Sequence, residues 1–187
     1  LGDVYKRQQI SLLILCAVAI VLFATPVHAC TSSVVSGKVT LDGRPLLWKN
    51  RDTDFMRNHV DYVKGERYDF IAVVNSANAY LKEAWMGTNS AGFALMNTQS
   101  YNLVDVKGDE ERGAANGRVI YRALEVCATV EDFCHFLDTI SKPSDIEANF
   151  GVIDAQGGAA MFEVDYYKYV MYDANNPCLL YTSPSPR

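Results

Sequence analysis

Apolar and polar residues alternate along this chain in three distinct patterns. From Ile10 to Ala24 the run is almost wholly apolar, with Ser11 the only polar break. From residue 31 the pattern shortens to stretches rich in Val, Ser, Thr and aromatics, which predict strands over 31–40, 45–49, 68–74, 82–86 and 93–97. Leu41-Asp42-Gly43-Arg44 supplies a hairpin turn through Asp-Gly, and a second turn is expected at 87–92. Helical spacing takes over at Gly117, where Val119, Ile120, Ala123, Leu124 and Cys127 share one face. Thr129 reads as the N-cap of a second helix, with Glu131 and Asp132 in its first turn. Its apolar face is Phe133, Phe136, Leu137 and Ile140, and Pro143 ends it. Strands return at 150–154, 159–164 and 167–172, the first two joined by a turn at 154–158. Residues 102–113 are polar and acidic and are expected to be a surface loop. Strands, two helices, then strands predict an α+β layered fold.

Both ends carry sequence foreign to this pattern. Residues 1–8 back-translate as CTC GGA GAT GTG TAT AAG AGA CAG. The reverse complement, read in a shifted frame, encodes Cys-Leu-Leu-Tyr-Thr-Ser-Pro-Ser, which is residues 178–185. Unrelated protein ends have no reason to be reverse complements. Residues 1–8 and 178–187 are therefore set aside as adapter-derived. The native segment is expected to be 9–177, with its natural start and end both missing.

The apolar run closes with Pro26 and then Val27-His28-Ala29, small or permissive residues at a cleavage site. Residues 9–29 are thus expected to be a signal peptide cut after Ala29. A membrane anchor is the alternative, but the run is short of the ~20 residues that one needs. Lipidation of Cys30 is another; His28 suits it poorly, and strand-like sequence follows with no tether. Cleavage after Ala29 implies export to a bacterial periplasm or the extracellular space. It leaves no membrane segment and one domain, 30–177, long enough for a sizeable core.

Removing Lys6, Arg7 and Arg187 from the 17 basic residues and Asp3 from the 22 acidic ones takes the formal charge from −5 to −7. No basic cluster is interleaved with aromatics, so no nucleic-acid partner is expected. Cys30, Cys127 and Cys134 remain, and an odd count leaves a thiol free. Cys127 and Cys134 lie among apolar residues and read as packed thiols rather than a disulfide. His59 and His135 have no ligand spacing around them, so neither a metal nor a cofactor is expected.

Cleavage after Ala29 would put a thiol and a new amino terminus on one residue, Cys30. Thiolates attack carbonyls, and an α-amino group with a pKa of about 7.7–8.0 can act as their base. One N-terminal Cys therefore supplies nucleophile and base together. The returning strand of the hairpin brings Asn50-Arg51-Asp52 back beside it. Asp52 can orient the amine, and Lys49 or Arg51 can favour the thiolate. Without the Cys, the same three residues would read as a solvated strand end.

Cys30-Thr31-Ser32-Ser33, a hairpin and then Lys49-Asn50-Arg51-Asp52 resemble the start of the Cys-type N-terminal nucleophile (Ntn) hydrolases that cleave linear amide C–N bonds. These include choloylglycine hydrolases, penicillin V acylases, acyl-CoA:6-aminopenicillanate acyltransferase-like peptidases and the superfamily's dipeptidases. Their pattern is Cys-Thr, a hairpin, and Arg-Asn-x-Asp. Asn50 and Asp52 match it; Lys49 stands where the family has Arg, which leaves Lys49 and Arg51 both open as the charge near sulfur. Gly87-Thr88-Asn89-Ser90-Ala91-Gly92, leading to Asn97, resembles the second block of the family. That match implies a role for Asn97 in the oxyanion hole, chiefly through its backbone N–H; an ordinary strand-end polar residue is the other reading. Residues 150–158 with Glu163 resemble a third, structural block. A family Thr-Asn element with a further oxyanion donor is expected beyond Pro177.

The resemblance implies an αββα four-layer sandwich, incomplete at the C-terminus. It also implies an exported amidohydrolase working through Cys30 and a thioester acyl-enzyme, with Asp52, Asn97, Lys49 and Arg51 in its site. The substrate would be a small-molecule amide or a short peptide; no cofactor is implied, and an oligomer is possible. Without the later oxyanion donor, the fragment is expected to be inactive by itself. Acyl transfer, dipeptide cleavage and a non-enzymatic lipoprotein acylated at Cys30 are the alternatives.

Overall fold

The computed structural model describes residues 30–77, 79–100, 113 and 115–176. The expected adapter ends, the signal peptide and, apart from Gly113, the acidic loop at 102–113 lie outside the described residues.

Two antiparallel sheets carry the fold. Strands β1 (Thr31–Val35) and β2 (Leu46–Asn50) pair from Thr31 opposite Asn50 to Val35 opposite Leu46. The strand expected over 31–40 stops early. Ser36 accepts a hydrogen bond from Lys38 N at 3.1 Å and starts one turn of 3₁₀ helix, Gly37–Val39. Gly43, at φ 74°, makes the reversal that Asp-Gly foretold.

The second sheet has seven strands in chain order, each antiparallel to its neighbours. They are β3 (Asn58–Val63), β4 (Phe70–Asn75), β5 (Met86–Asn89), β6 (Ala94–Gln99), β7 (Ala148–Ile153), β8 (Ala159–Val164) and β9 (Tyr169–Asp173). Helices α1 (Asn116–Val126) and α2 (Val130–Thr139) are inserted between β6 and β7. The α+β expectation holds. Adjacent residues of β7 show the layering: Phe150 meets Phe133 of α2, while Gly151 faces Val34 and Leu47 of the small sheet. Helices, large sheet and small sheet are the three layers among the described residues.

Two expectations need correction. β3 was not foreseen: it is a largely exposed edge strand with no fully buried residue, and its partner is β4 alone. The strand expected at 82–86 lies instead at Met86–Asn89. Lys82 has φ 54°, a left-handed conformation that does not continue a strand. Gly87, expected to begin a turn, is inside β5. A Cβ there would stand 2.6 Å from Ile71 O and 2.6 Å from Leu124 Cδ1, so close packing against β4 and α1 requires glycine.

The helices follow their pattern. Val119, Ile120, Ala123 and Leu124 of α1 are buried, as is Cys127 at its end. Thr129 caps α2 reciprocally: its hydroxyl accepts from Asp132 N at 3.0 Å, and Asp132 Oδ2 accepts from Thr129 N at 3.1 Å. The turn after β7 is tied to the same helix start, where Asp154 Oδ2 accepts from Val130 N at 2.9 Å.

Phe133 is the centre of the core. It is fully buried and touches the rings of Phe93, Phe136, Phe150 and Phe162. Phe133→Ala should lower unfolding stability by roughly 3–5 kcal/mol through lost burial and a cavity. Thr129→Ala, which removes one cap, should cost about 1 kcal/mol. Urea denaturation of the two variants tests this ordering, and equal losses would contradict it.

Candidate active site

Alternation along β2 decides what reaches the interior. Leu46, Trp48 and Asn50 point outward and are exposed, while Leu47 and Lys49 point in and are partly buried. Leu47 lies over Gly151 of the large sheet. Lys49, two residues on, extends to the end of β5. The last β5–β6 pair is Met86 opposite Met96, so Trp85 and Asn97 come next in the register. Lys49 Nζ bonds to both, donating to Trp85 O at 2.9 Å and Asn97 Oδ1 at 3.0 Å.

Cys30 immediately precedes β1, one step beyond the Thr31–Asn50 pair, and so stands beside Arg51. Its Sγ donates to the Asp52 carbonyl oxygen at 3.5 Å. Arg51 is held on three sides. It donates to Asn58 Oδ1 and, at 2.8 Å, to Asn75 Oδ1, and its guanidinium carbon lies 4.9 Å from the centre of the Trp85 ring.

These side chains line one cavity of about 390 Å³. All five residues singled out from sequence border it: Cys30, Lys49, Arg51, Asp52 and Asn97. Trp85, Phe55, Thr53, Asp54 and Gln99 complete its wall. Sequence reading missed Trp85, Asn75 and Asn58. Trp85 and Asn75 adjoin β5 and β4 with no local chemical signature. The only signal was Trp85 itself, one of two tryptophans in the chain.

Both cations interact electrostatically with Cys30. Burial pushes the Lys49 ammonium down to about 8; a Cys30 thiolate opposes that shift and the Arg51 charge adds to it. Arg51 is also lowered by burial, again with Cys30 acting in the opposite sense. The choice between Lys49 and Arg51 as the charge near sulfur therefore has no single answer in the geometry, since both are in reach. A thiol sharing its cavity with two cations and an asparagine of β6 has the parts of a nucleophile and an electrophilic wall.

An α+β sandwich whose hairpin delivers a cysteine to a cavity with two cations defines the general class. The model of the acyl-coenzyme A:6-aminopenicillanic acid acyl-transferase family matches residues 40–179, and the chain belongs to that family, within the Ntn hydrolases. The matched span includes Lys49, Arg51, Asp52 and Asn97 and starts after Cys30. Among solved structures, penicillin V acylase from Agrobacterium tumefaciens is similar at 16% identity and a TM-score of 0.39, over 78% of this chain and 41% of that one. The chain thus spans less than half the length of that protein. No curated protein matches it.

The other two thiols differ from Cys30 in setting. Cys127 is buried in the core, and burial pushes its pKa up to about 12, with Asp132 adding to the effect. Cys134 is partly exposed beside Met171, 3.8 Å away, and is also raised by burial. Both are free, as the apolar surroundings suggested. Because only thiolates alkylate, iodoacetamide near neutral pH should modify Cys30 in the native protein and reach Cys127 only on unfolding. Peptide mapping by mass spectrometry checks this; native labelling of Cys127 at the rate of Cys30 would contradict it.

Proposed function

We propose that this chain belongs to an exported enzyme that cleaves a linear amide C–N bond with Cys30 as its N-terminal nucleophile. The observation that carries this reading is the shared cavity: Cys30, Lys49, Arg51, Asp52 and Asn97 all line it. Cleavage after Ala29 would free the α-amine of Cys30. In this reading the amine takes the thiol proton, with Asp52 orienting it, and sulfur attacks the amide carbonyl. The tetrahedral oxyanion is met by donors at Asn97. Collapse forms a thioester and expels the amine, which leaves with the proton from the α-amine. Water then attacks the thioester, its proton returning through the same amine, and the carboxylic acid departs. The substrate class is a small-molecule amide or a short peptide.

A second reading is acyl transfer, favoured by the acyl-transferase family to which the chain belongs. The acyl-enzyme is the same, and an acceptor amine replaces water. Product analysis with and without an added acceptor separates the two.

In the full-length enzyme, Cys30→Ala should reduce amide turnover by at least ~10³-fold, as expected for removal of a covalent nucleophile. The mature protein should show a free Cys at its N-terminus by intact mass. Unchanged turnover in Cys30→Ala would overturn the reading, and a diacylglyceryl mass on Cys30 would replace it with a lipoprotein.

A further inference from the structure

Lys49 holds more than charge. An ammonium has three N–H donors, and Lys49 uses two of them on neutral oxygens, Trp85 O and Asn97 Oδ1. Those oxygens belong to the two residues at which the β5–β6 ladder stops. The ammonium therefore closes the gap between the strands and also fixes which end of the Asn97 amide faces it. With Oδ1 turned to Lys49, Nδ2 is the end left over. Among the described residues Nδ2 has no acceptor, yet it is not among the buried unpartnered atoms, and Asn97 lines the Cys30 cavity.

We propose that Lys49 is a positioning residue: it turns the Asn97 amide so that Nδ2 is presented to the oxygen of the scissile carbonyl, and it does so through a charge that can be removed. This rests on the reading of Cys30 as the nucleophile. An arginine at this position would make the hold permanent, since a guanidinium keeps its proton throughout the working range.

The surroundings explain why the charge can be lost. Among the described residues, the charged or titratable groups bordering this cavity are Cys30 ahead of β1, whose α-amine the proposed cleavage would add, Arg51 just past β2, and Asp52 and Asp54 in the loop that follows. β6 contributes the neutral Asn97 and Gln99, and the segment before β5 contributes Trp85. No carboxylate among the described residues forms an ion pair with Lys49, whose partners are both neutral. Burial and Arg51 both work against the ammonium, and its pKa falls to about 8. Below that pH the hold is charged; above it, a neutral amine binds Asn97 Oδ1 more weakly.

The test follows the Asn97 side-chain amide by ¹H–¹⁵N NMR in a Cys30→Ala background, which removes the thiol's own titration and needs no turnover. The signal is assigned by its disappearance in Asn97→Asp. Its resonances should shift with pH, with a midpoint no higher than about 8, because the Cys30 contribution that raises Lys49 is absent in this background. In Cys30→Ala/Lys49→Arg the Lys49 step should be lost, leaving at most the step that the α-amine of residue 30 gives in both variants. A flat response in Cys30→Ala, or a pH profile left unchanged by Lys49→Arg, would overturn the proposal and leave the nucleophile reading untouched. Should the Arg variant not fold, ¹³C reductive methylation reads the midpoint of Lys49 directly, and a value at the ordinary lysine pKa of about 10.4 would overturn it as well.

Discussion

The site depends on how closely the two sheets approach, and Gly151 sets that distance. A Cβ on Gly151 would stand 2.5 Å from Met96 Cε, 2.9 Å from Val34 Cγ2 and 3.2 Å from Leu47 Cδ2. A side chain at Gly151 would have to push these three side-chain ends aside for the β1–β2 hairpin to settle this low on β6 and β7. The consequence propagates along β2. With Leu47 seated against β7, Lys49 lies at the right depth to bond Trp85 and Asn97. Raising the hairpin by the width of a methyl group would lift Lys49 off both acceptors. Packing at one glycine and polar geometry at the far end of the strand are thus a single constraint.

Polar ties keep the hairpin from sliding once it is seated. Ser36, where β1 ends, donates to Asn175 Oδ1, and Lys38 Nζ donates to Asn175 O at 2.8 Å. Asn175 Nδ2 in turn donates to Gly157 O at 3.0 Å, in the turn between β7 and β8. The closed end of the hairpin is therefore fixed to the large sheet, and Lys49 fixes the open end. Cys30 hangs from that open end, one residue before the first pair. Asn89 does the same work on the helix side, with Nδ2 bonded to Leu124 O and Cys127 O and Oδ1 accepting from Ala91 N and Phe93 N. The β5–β6 turn and the end of α1 are locked together by one side chain.

What could be read from the chain was whatever repeats locally. The helix faces, the Thr129 cap and the Asp-Gly turn are properties of a few adjacent residues, and they stand as expected. β3 escaped because its short alternation, His59-Val60-Asp61-Tyr62, leaves the apolar positions exposed and marks no buried face; β4 beside it makes it a strand. β5 was displaced because Gly87 has two readings, turn or close packing, and only the positions of Ile71 and Leu124 choose between them. The site divided in the same way. Cys30 and 49–52 were legible as two ends of one hairpin. Asn75, Asn58 and Trp85 were not, since each comes to Arg51 by tertiary folding.

The choice of partners for the two cations is a functional choice. Lys49 and Arg51 are bonded to neutral oxygens, on Trp85, Asn97, Asn58 and Asn75. Carboxylates in those places would hold the side chains as firmly and would cancel their field. Neutral acceptors leave the field standing, at a cost seen in the lowered pKa of both cations. That field favours an anion formed inside the cavity, and a Cys30 thiolate opposes the downward shift of each cation. Holding two cations on neutral partners takes amides and an indole ring: Asn97, Asn58 and Asn75 accept from them, and the Trp85 ring lies against Arg51.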